Sequence, residues 1–270
     1  MTTPATTGAT DHLAGAHLVE VSLRGTRFTD CDLTGVVMRS VELADVDIDA
    51  PWLLEAETQV FVNSVDVVPL VRAELERRFP GRHLMTADDP DGLRAAWAAV
   101  ETAWDGTLER AAAMPSGSVD VQVDGEWSFA QTLRHLVMAT DLWIRGAVLG
   151  VEQPLHPIGV VFDGAEQAGF DISVLTHDSP TWDEVLEVRA DRVATVRDLL
   201  ATVTTEGLAR PATHPWSPDR ATTTLSCVQT ILHEEWEHLR FAVRDLDAIG
   251  AGASQPSGSQ EHRVGVAADD

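Results

Sequence analysis

The stretch HEEWEHLR, residues 233–240, places two histidines and three glutamates inside a long helical pattern near the C-terminus. Imidazole and carboxylate groups are the usual protein ligands of divalent zinc, nickel, iron and manganese. His233 and His238 are five residues apart, so an α-helix points their side chains about 140° away from each other. We therefore do not expect these two histidines to share one ion.

An apolar stripe along the same helix indicates which of these groups faces the protein interior. His233 lies roughly 130° from the centre of the stripe, so we expect it to face water. A pairing of His233 with Glu237 would therefore face outward. Glu234 and His238 are neighbours on a face nearer the stripe, with Glu235 nearer still, and form the inward pairing. The stripe consists of Leu225, Val228, Leu232, Leu239, Val243, Leu246 and Ile249.

A third histidine, His135, lies among apolar residues in TLRHLVMATDLW, residues 132–143. Taken alone, it is better interpreted as a core histidine bonded to a carbonyl. With Glu234 and His238 it gives two imidazoles and one carboxylate, a set that suits Zn, Ni, Fe(II) or Mn and leaves positions open for water or substrate. An internal ion pair or hydrogen-bonded cluster without metal fits the same residue types, and both alternatives stay open.

Four long segments with helical periodicity can position these residues: 88–115, 127–150, 179–203 and about 224–249. Two of them open with the capping-box pattern S/T-x-x-E/Q. A long irregular connection, residues 151–178, separates the second segment from the third. This order predicts a four-helix bundle with one long crossover.

A different period precedes the helices. Apolar residues recur every five positions, which matches neither the 3.6-residue period of a helix nor the two-residue period of a strand. A second series of small or β-branched residues, Ala16, Val21, Thr26, Cys31, Val36, Val41 and Val46, runs two positions before it. We expect a chain that turns a corner every five residues and points both series inward. The first series is Leu13, Leu18, Leu23, Phe28, Leu33, Met38, Leu43 and Ile48.

These units resemble the pentapeptide-repeat family, whose unit is A(D/N)LXX, and CDLTG (31–35) is the nearest match. The resemblance implies a small right-handed quadrilateral β-helix of about two coils over residues 13–68. A capping helix and linker would follow over 69–87. We expect residues 1–12 to be flexible and 251–270 to be disordered. The open end of so short a β-helix has unpaired edges, so it could serve as a docking platform or form a homodimer.

The segments WSFAQTLRHLVMATDLW and LHEEWEHLRFAVRDLD resemble the DinB/YfiT superfamily over residues 88–250. Its members are four-helix bundles that bind a divalent metal through one histidine on the second helix and an HxxxH pair on the last. The helix-two histidine falls on His135, and the second histidine of HxxxH falls on His238. The first falls on Glu234, where this chain departs from the pattern. Together the two resemblances imply a fold class of α+β by segments, with a small β-helix followed by an all-α DinB-like bundle.

The resemblance implies a metal-dependent enzyme acting on a small-molecule substrate, either a mycothiol-type transferase with a low-molecular-weight thiol as cosubstrate or a hydrolase. His135, Glu234 and His238 would hold the metal, and Glu235 would support them or act as general base. Further residues could line the pocket or meet an anionic substrate: Trp127, Trp143, Trp236, Arg134 and Arg240.

Composition limits the other functions. The net charge is −24, from 43 acidic and 19 basic residues, which disfavours general binding to nucleic acids and anionic membranes. Two widely separated cysteines, without a signal-like N-terminus or an apolar run of membrane length, favour the cytoplasm. The alternative function is a non-catalytic binding protein whose acidic repeat docks a partner or mimics DNA, although two coils are short for mimicry.

Overall fold

The structure, a computed structural model, divides the chain into two compact units, one ending at Asp49 and the other starting at Ala50. The predicted flexible N-terminus (1–12) and nearly all of the predicted disordered tail (251–270) lie outside the described residues. The described residues are 13–29, 31–54, 57–161, 172–217 and 219–252.

Tight turns recur every ten residues in the first unit. In each turn the backbone N–H of the fourth residue donates to the carbonyl of the first, over 2.9–3.1 Å. The third residue is a glycine with φ of +74° to +75°, a conformation that costs other residues steric strain. The three bonds join Ala16 to Leu13, Thr26 to Leu23 and Val36 to Leu33.

The apolar residues of the five-residue series are exposed. Their exposed fractions run from 49% at Leu23 to 70% at Ile48. The prediction that these side chains point into a closed interior is therefore wrong. The described part of this unit, 13–29 and 31–49, contains neither helix nor strand.

Helices dominate the second unit. Helices α2 and α3 each pack against both α4 and α6, so the four longest helices enclose the core. Large buried side chains from α2, α3 and α6, including Trp97, Leu133 and Trp236, fill it. The helices are α1 (Val68–Arg78), α2 (Pro90–Ala112), α3 (Phe129–Thr140), α4 (Trp182–Thr202), α5 (Thr205–Leu208) and α6 (Thr224–Gly250).

Two of the long helices begin with the predicted capping boxes. The Ser128 hydroxyl accepts from the Gln131 N–H, and the Gln131 side chain accepts from the Ser128 N–H. Thr181 and Glu184 make the same reciprocal pair at the start of α4. Each box satisfies backbone donors at a helix start, which stabilises the helix by about 1 kcal/mol.

Short antiparallel pairs complete the fold. Strands β1 (Phe61–Val62) and β2 (Val65–Asp66) form a hairpin. The two residues joining them, Asn63 and Ser64, both have positive φ, as a type I′ turn requires. Strands β3 (Pro211–Thr213) and β4 (Ala221–Thr223) pair just before α6. Short 3₁₀ turns span Arg82–Thr86, Ser118–Asp120 and Ile172–Val174.

The second predicted helix is not a uniform α-helix. After α3 the chain continues as one π-helical turn, Asp141–Gly146. There the Ala147 N–H donates to the Leu142 carbonyl, five residues back, over 3.0 Å. Asp141 is fully buried in this turn and binds Arg192 from α4. The α-helical periodicity of the sequence does not indicate this ion pair. No helix of the described residues combines the length and apolarity needed to cross a membrane.

Candidate metal centre

The three predicted ligands come together from two helices. His135 lies on α3, while Glu234 and His238 lie on α6, and their ligand atoms all fall within 4.8 Å of one another. Nε2 of His135 is 3.5 Å from Oε2 of Glu234, and Nδ1 of His238 is 3.4 Å from the same oxygen. Within the described ranges, no other three His, Cys, Asp or Glu side chains converge in this way.

Backbone carbonyls fix the tautomers of both histidines. Nδ1 of His135 lies 3.2 Å from the Val160 carbonyl, and Nδ1 of His238 lies 2.9 Å from the Glu234 carbonyl. Because a carbonyl oxygen only accepts hydrogen bonds, each Nδ1 carries the proton. Each Nε2 therefore keeps its lone pair, as a metal-binding imidazole requires.

Electrostatics favour the ligand forms of these groups. Burial, followed by repulsion from His135, lowers the pKa of His238 from 6.5 to about 4, so its imidazole is neutral near pH 7. Burial opposes ionisation of Glu234, but its interactions with His135 and His238 hold its pKa below 4.5. The site thus offers a neutral imidazole at His238 and an ionised carboxylate at Glu234, beside the Nε2 lone pair of His135.

One predicted tryptophan borders the triad. The ring of Trp127, which is half-buried, lies 4.5 Å from the ring of His135 and 6.1 Å from that of His238, measured between centroids. It forms an apolar wall beside the two imidazoles. Trp236 instead fills the core, with 1% of its surface exposed, and Trp143 packs edge-on against His214.

Glu235 lies in the core and binds Arg189. It is 1% exposed, and its Oε2 accepts a hydrogen bond from Nη2 of Arg189 on α4 over 2.5 Å. Burial raises the pKa of Glu235, and the arginine opposes that rise. The sequence marked this carboxylate as poorly placed near an apolar stripe, but it did not identify Arg189, which lies on another helix.

The expectation that His233 faces water is wrong. His233 is 7% exposed, and its ring stacks on that of Trp52 with 4.3 Å between centroids and 7° between planes. The polar side of α6 is therefore covered here by a residue from outside the helix. Periodicity measures direction around one helix and carries no signal for this cover.

The two predicted substrate-binding arginines have protein partners. Arg134 donates to the carbonyls of Ile158, His177 and Asp178. Arg240 binds the buried Glu237 carboxylate through Nε and Nη2 at 3.1 and 2.9 Å.

The donor set fits a divalent ion, because two imidazoles with oriented lone pairs and one ionised carboxylate suit Zn, Ni, Fe(II) or Mn.

Comparison with protein-family models found pentapeptide repeats, in eight copies, over residues 12–48. No curated protein and no solved structure matched the chain. The model of the DinB superfamily matched residues 99–242, more than half of the 270 residues. The chain therefore belongs to the DinB superfamily and carries pentapeptide repeats before its DinB region.

Proposed function

We propose that the second unit is a divalent-metal-dependent enzyme whose metal is held by His135, Glu234 and His238. The observation that carries this proposal is the convergence of these three side chains within 4.8 Å. A divalent ion there would lower the pKa of a bound water or thiol and supply a nucleophile near neutral pH. A thiol-dependent transferase, with mycothiol or a similar thiol as cosubstrate, and a hydrolase are the two reactions that follow from this chemistry.

The protein residues would each have a defined role. His135 and His238 would donate lone pairs from Nε2, because their Nδ1 atoms are bound to carbonyls. Glu234 would offset one charge of the ion. Trp127 would exclude water from one side of the site and contact the apolar part of a substrate.

Metal analysis tests the proposal. Wild-type protein, loaded and dialysed, should retain one divalent ion per chain, whereas His135→Ala and His238→Ala should retain almost none. His214→Ala is the matched control, because His214 is also 7% exposed but lies outside the triad. Equal metal content in all four proteins would contradict the proposal.

Cobalt spectroscopy separates the two reactions. If the Co²⁺-loaded protein binds mycothiol through sulfur, a thiolate-to-cobalt charge-transfer band should appear in the near ultraviolet. A hydrolase should show no such band, and its visible cobalt spectrum should change with pH as the bound water ionises.

We also infer that the second unit is a four-helix bundle and that the first is a quadrilateral β-helix that docks a partner or a second copy. The packing of α2 and α3 against both α4 and α6 supports the bundle. The eight repeat copies, the ten-residue spacing of turns and the exposed apolar series support the docking module. Sedimentation velocity should give a dimer for wild type and a monomer for Leu23→Glu if a second copy is the partner.

A further inference from the structure

The connection after the π-helical turn is tied to α3 and to that turn by three side chains. We name residues 154–160 the strap. Nε of Arg134 donates to the Ile158 carbonyl over 2.7 Å. Nη1 of Arg145 donates to the Pro154 carbonyl over 2.8 Å. Oδ2 of Asp141 accepts from the His156 N–H over 2.8 Å.

Two of the three residues that hold the strap, Asp141 and Arg134, make further hydrogen bonds that fix their own positions. Asp141 has no exposed surface, and its Oδ1 accepts from Nε of Arg192 on α4 over 2.6 Å. Arg134 also donates from Nη2 to the His177 carbonyl over 2.9 Å, so one guanidinium holds two stretches of the connection. The His177 N–H in turn donates to the Pro157 carbonyl over 3.1 Å. The strap is thereby held on both sides.

The strap also approaches α3 closely between its anchors. A Cβ built on Gly159 would lie 3.1 Å from Cβ of Met138 on α3 and 3.1 Å from Cδ2 of Leu175. Any side chain at Gly159 would require the strap or these neighbours to shift by a few tenths of an ångström. The residue that follows is Val160, whose carbonyl lies 3.2 Å from Nδ1 of His135.

We propose that Arg134 and Asp141 are positioning residues for the metal centre, because they fix the strap whose Val160 carbonyl sets the tautomer and ring orientation of His135. This proposal rests on the proposed function. It assigns Arg134 a role in metal affinity, although Arg134 would contact neither the ion nor the substrate. Hydrogen-bond partners of ligating histidines typically change metal affinity by about 10–100-fold. Arg134 does not bind His135 directly. It acts through the strap, because it binds the Ile158 carbonyl two residues before Val160.

Three variants and one control test the positioning role. Arg134→Gln removes the guanidinium group, whereas Arg134→Lys keeps the positive charge but can donate to fewer carbonyls. Gly159→Ala displaces the strap without changing any charge. Arg94→Gln is the control, because Nη1 of Arg94 also donates to a backbone carbonyl, that of Leu200 over 2.9 Å, away from the triad.

The first measurement is the dissociation constant for Co²⁺ alone, obtained by spectroscopic titration. It should rise about tenfold for Arg134→Gln and Gly159→Ala, less for Arg134→Lys, and stay within about twofold for Arg94→Gln. The melting temperature of the metal-free proteins is recorded in parallel. A purely structural role would lower the melting temperature of Arg134→Gln and Arg94→Gln alike and leave Co²⁺ affinity unchanged, which overturns the proposal.

The second measurement needs no metal. Long-range ¹H–¹⁵N correlation spectra report which ring nitrogen of His135 carries the proton. Metal-free wild type should show the Nδ1–H tautomer, and Arg134→Gln and Gly159→Ala should show a mixture. An Nε2–H tautomer in wild type overturns the proposal even if no variant folds. If wild type shows Nδ1–H but binds no Co²⁺, the proposed function fails while the positioning of His135 stands.

Discussion

Nε2 of His135 on α3 lies 3.5 Å from Oε2 of Glu234 on α6, so the contact between an imidazole and a carboxylate joins the two helices at the candidate metal centre. Where the superfamily pattern places a histidine, this chain has a carboxylate. The residue at position 234 should therefore set which metal the site prefers.

Glu234→His should raise the affinity for Zn²⁺ and Ni²⁺ by roughly tenfold and lower that for Mn²⁺, because imidazole suits the former ions and carboxylate the latter. Competition against a chromogenic chelator measures all three constants. Glu234→Gln is the control that removes the charge without adding an imidazole, and it should lower the affinity of the site for all three ions. Equal Mn²⁺ affinity in wild type and Glu234→Gln would contradict the assignment of Glu234 as a ligand.

The metal-free protein should lose stability in mild acid through His238. The pKa of His238 is lowered to about 4 in the folded state against an ordinary 6.5. Between these values the unfolded chain binds the proton and the folded chain does not. The free energy of unfolding should therefore fall as the pH drops from 6.5 to 4, by roughly 3 kcal/mol in total.

Urea denaturation in the presence of EDTA at several pH values measures this loss. Other groups also titrate in the range, including Glu235, whose raised pKa acts in the opposite direction. The informative quantity is thus the difference between wild type and His238→Gln. That difference should shrink toward low pH, and a pH-independent difference would show that His238 titrates normally.

The buried pair of Arg189 and Glu235 should be costly to break. Arg189→Met leaves a carboxylate unpaired in the core and should lower the free energy of unfolding by about 3–5 kcal/mol. Adding Glu235→Leu should recover most of this loss, because no buried charge then remains. Arg197→Met, which breaks the more exposed pair with Glu101, is the control and should cost about 0–1 kcal/mol. Urea midpoints measure all three, and equal losses for the two arginines would refute the argument.

The stack of Trp52 on His233 should protect that histidine from reagents. Trp52→Ala should uncover His233, speed its modification by diethyl pyrocarbonate and lower stability by about 1 kcal/mol. Trp52→Phe keeps an aromatic ring and should retain most of the protection. Peptide mass spectrometry gives the modification rate at His233, and identical rates in all three proteins would mean that the stack does not persist in solution.

The pairing of Glu234 with His238 could be predicted because both residues lie on α6, whereas the resemblance to the DinB/YfiT superfamily was needed to favour His135 as their partner. Spacing within α6 separated His233 from His238 and paired His238 with Glu234, and apolar neighbours directed His135 inward. The capping boxes were readable for the same reason, since both partners lie within four residues.

Features that depend on contacts between distant segments could not be predicted. Trp52 covers His233 and Arg189 neutralises Glu235 across elements that periodicity treats separately. The exposure of the five-residue series was missed for a related reason. A five-residue period indicates the direction in which each side chain points, but it does not identify the neighbouring segment that would have to cover that side chain.

The π-helical turn at Asp141–Gly146 has a consequence for comparing relatives. Such a turn closes hydrogen bonds over five residues instead of four, so it accommodates one residue more than a regular helix of equal length. His135 precedes the turn and the strap follows it. An alignment with a superfamily member whose helix is uninterrupted therefore needs a one-residue gap here, or every position of the strap will be matched to the wrong neighbour.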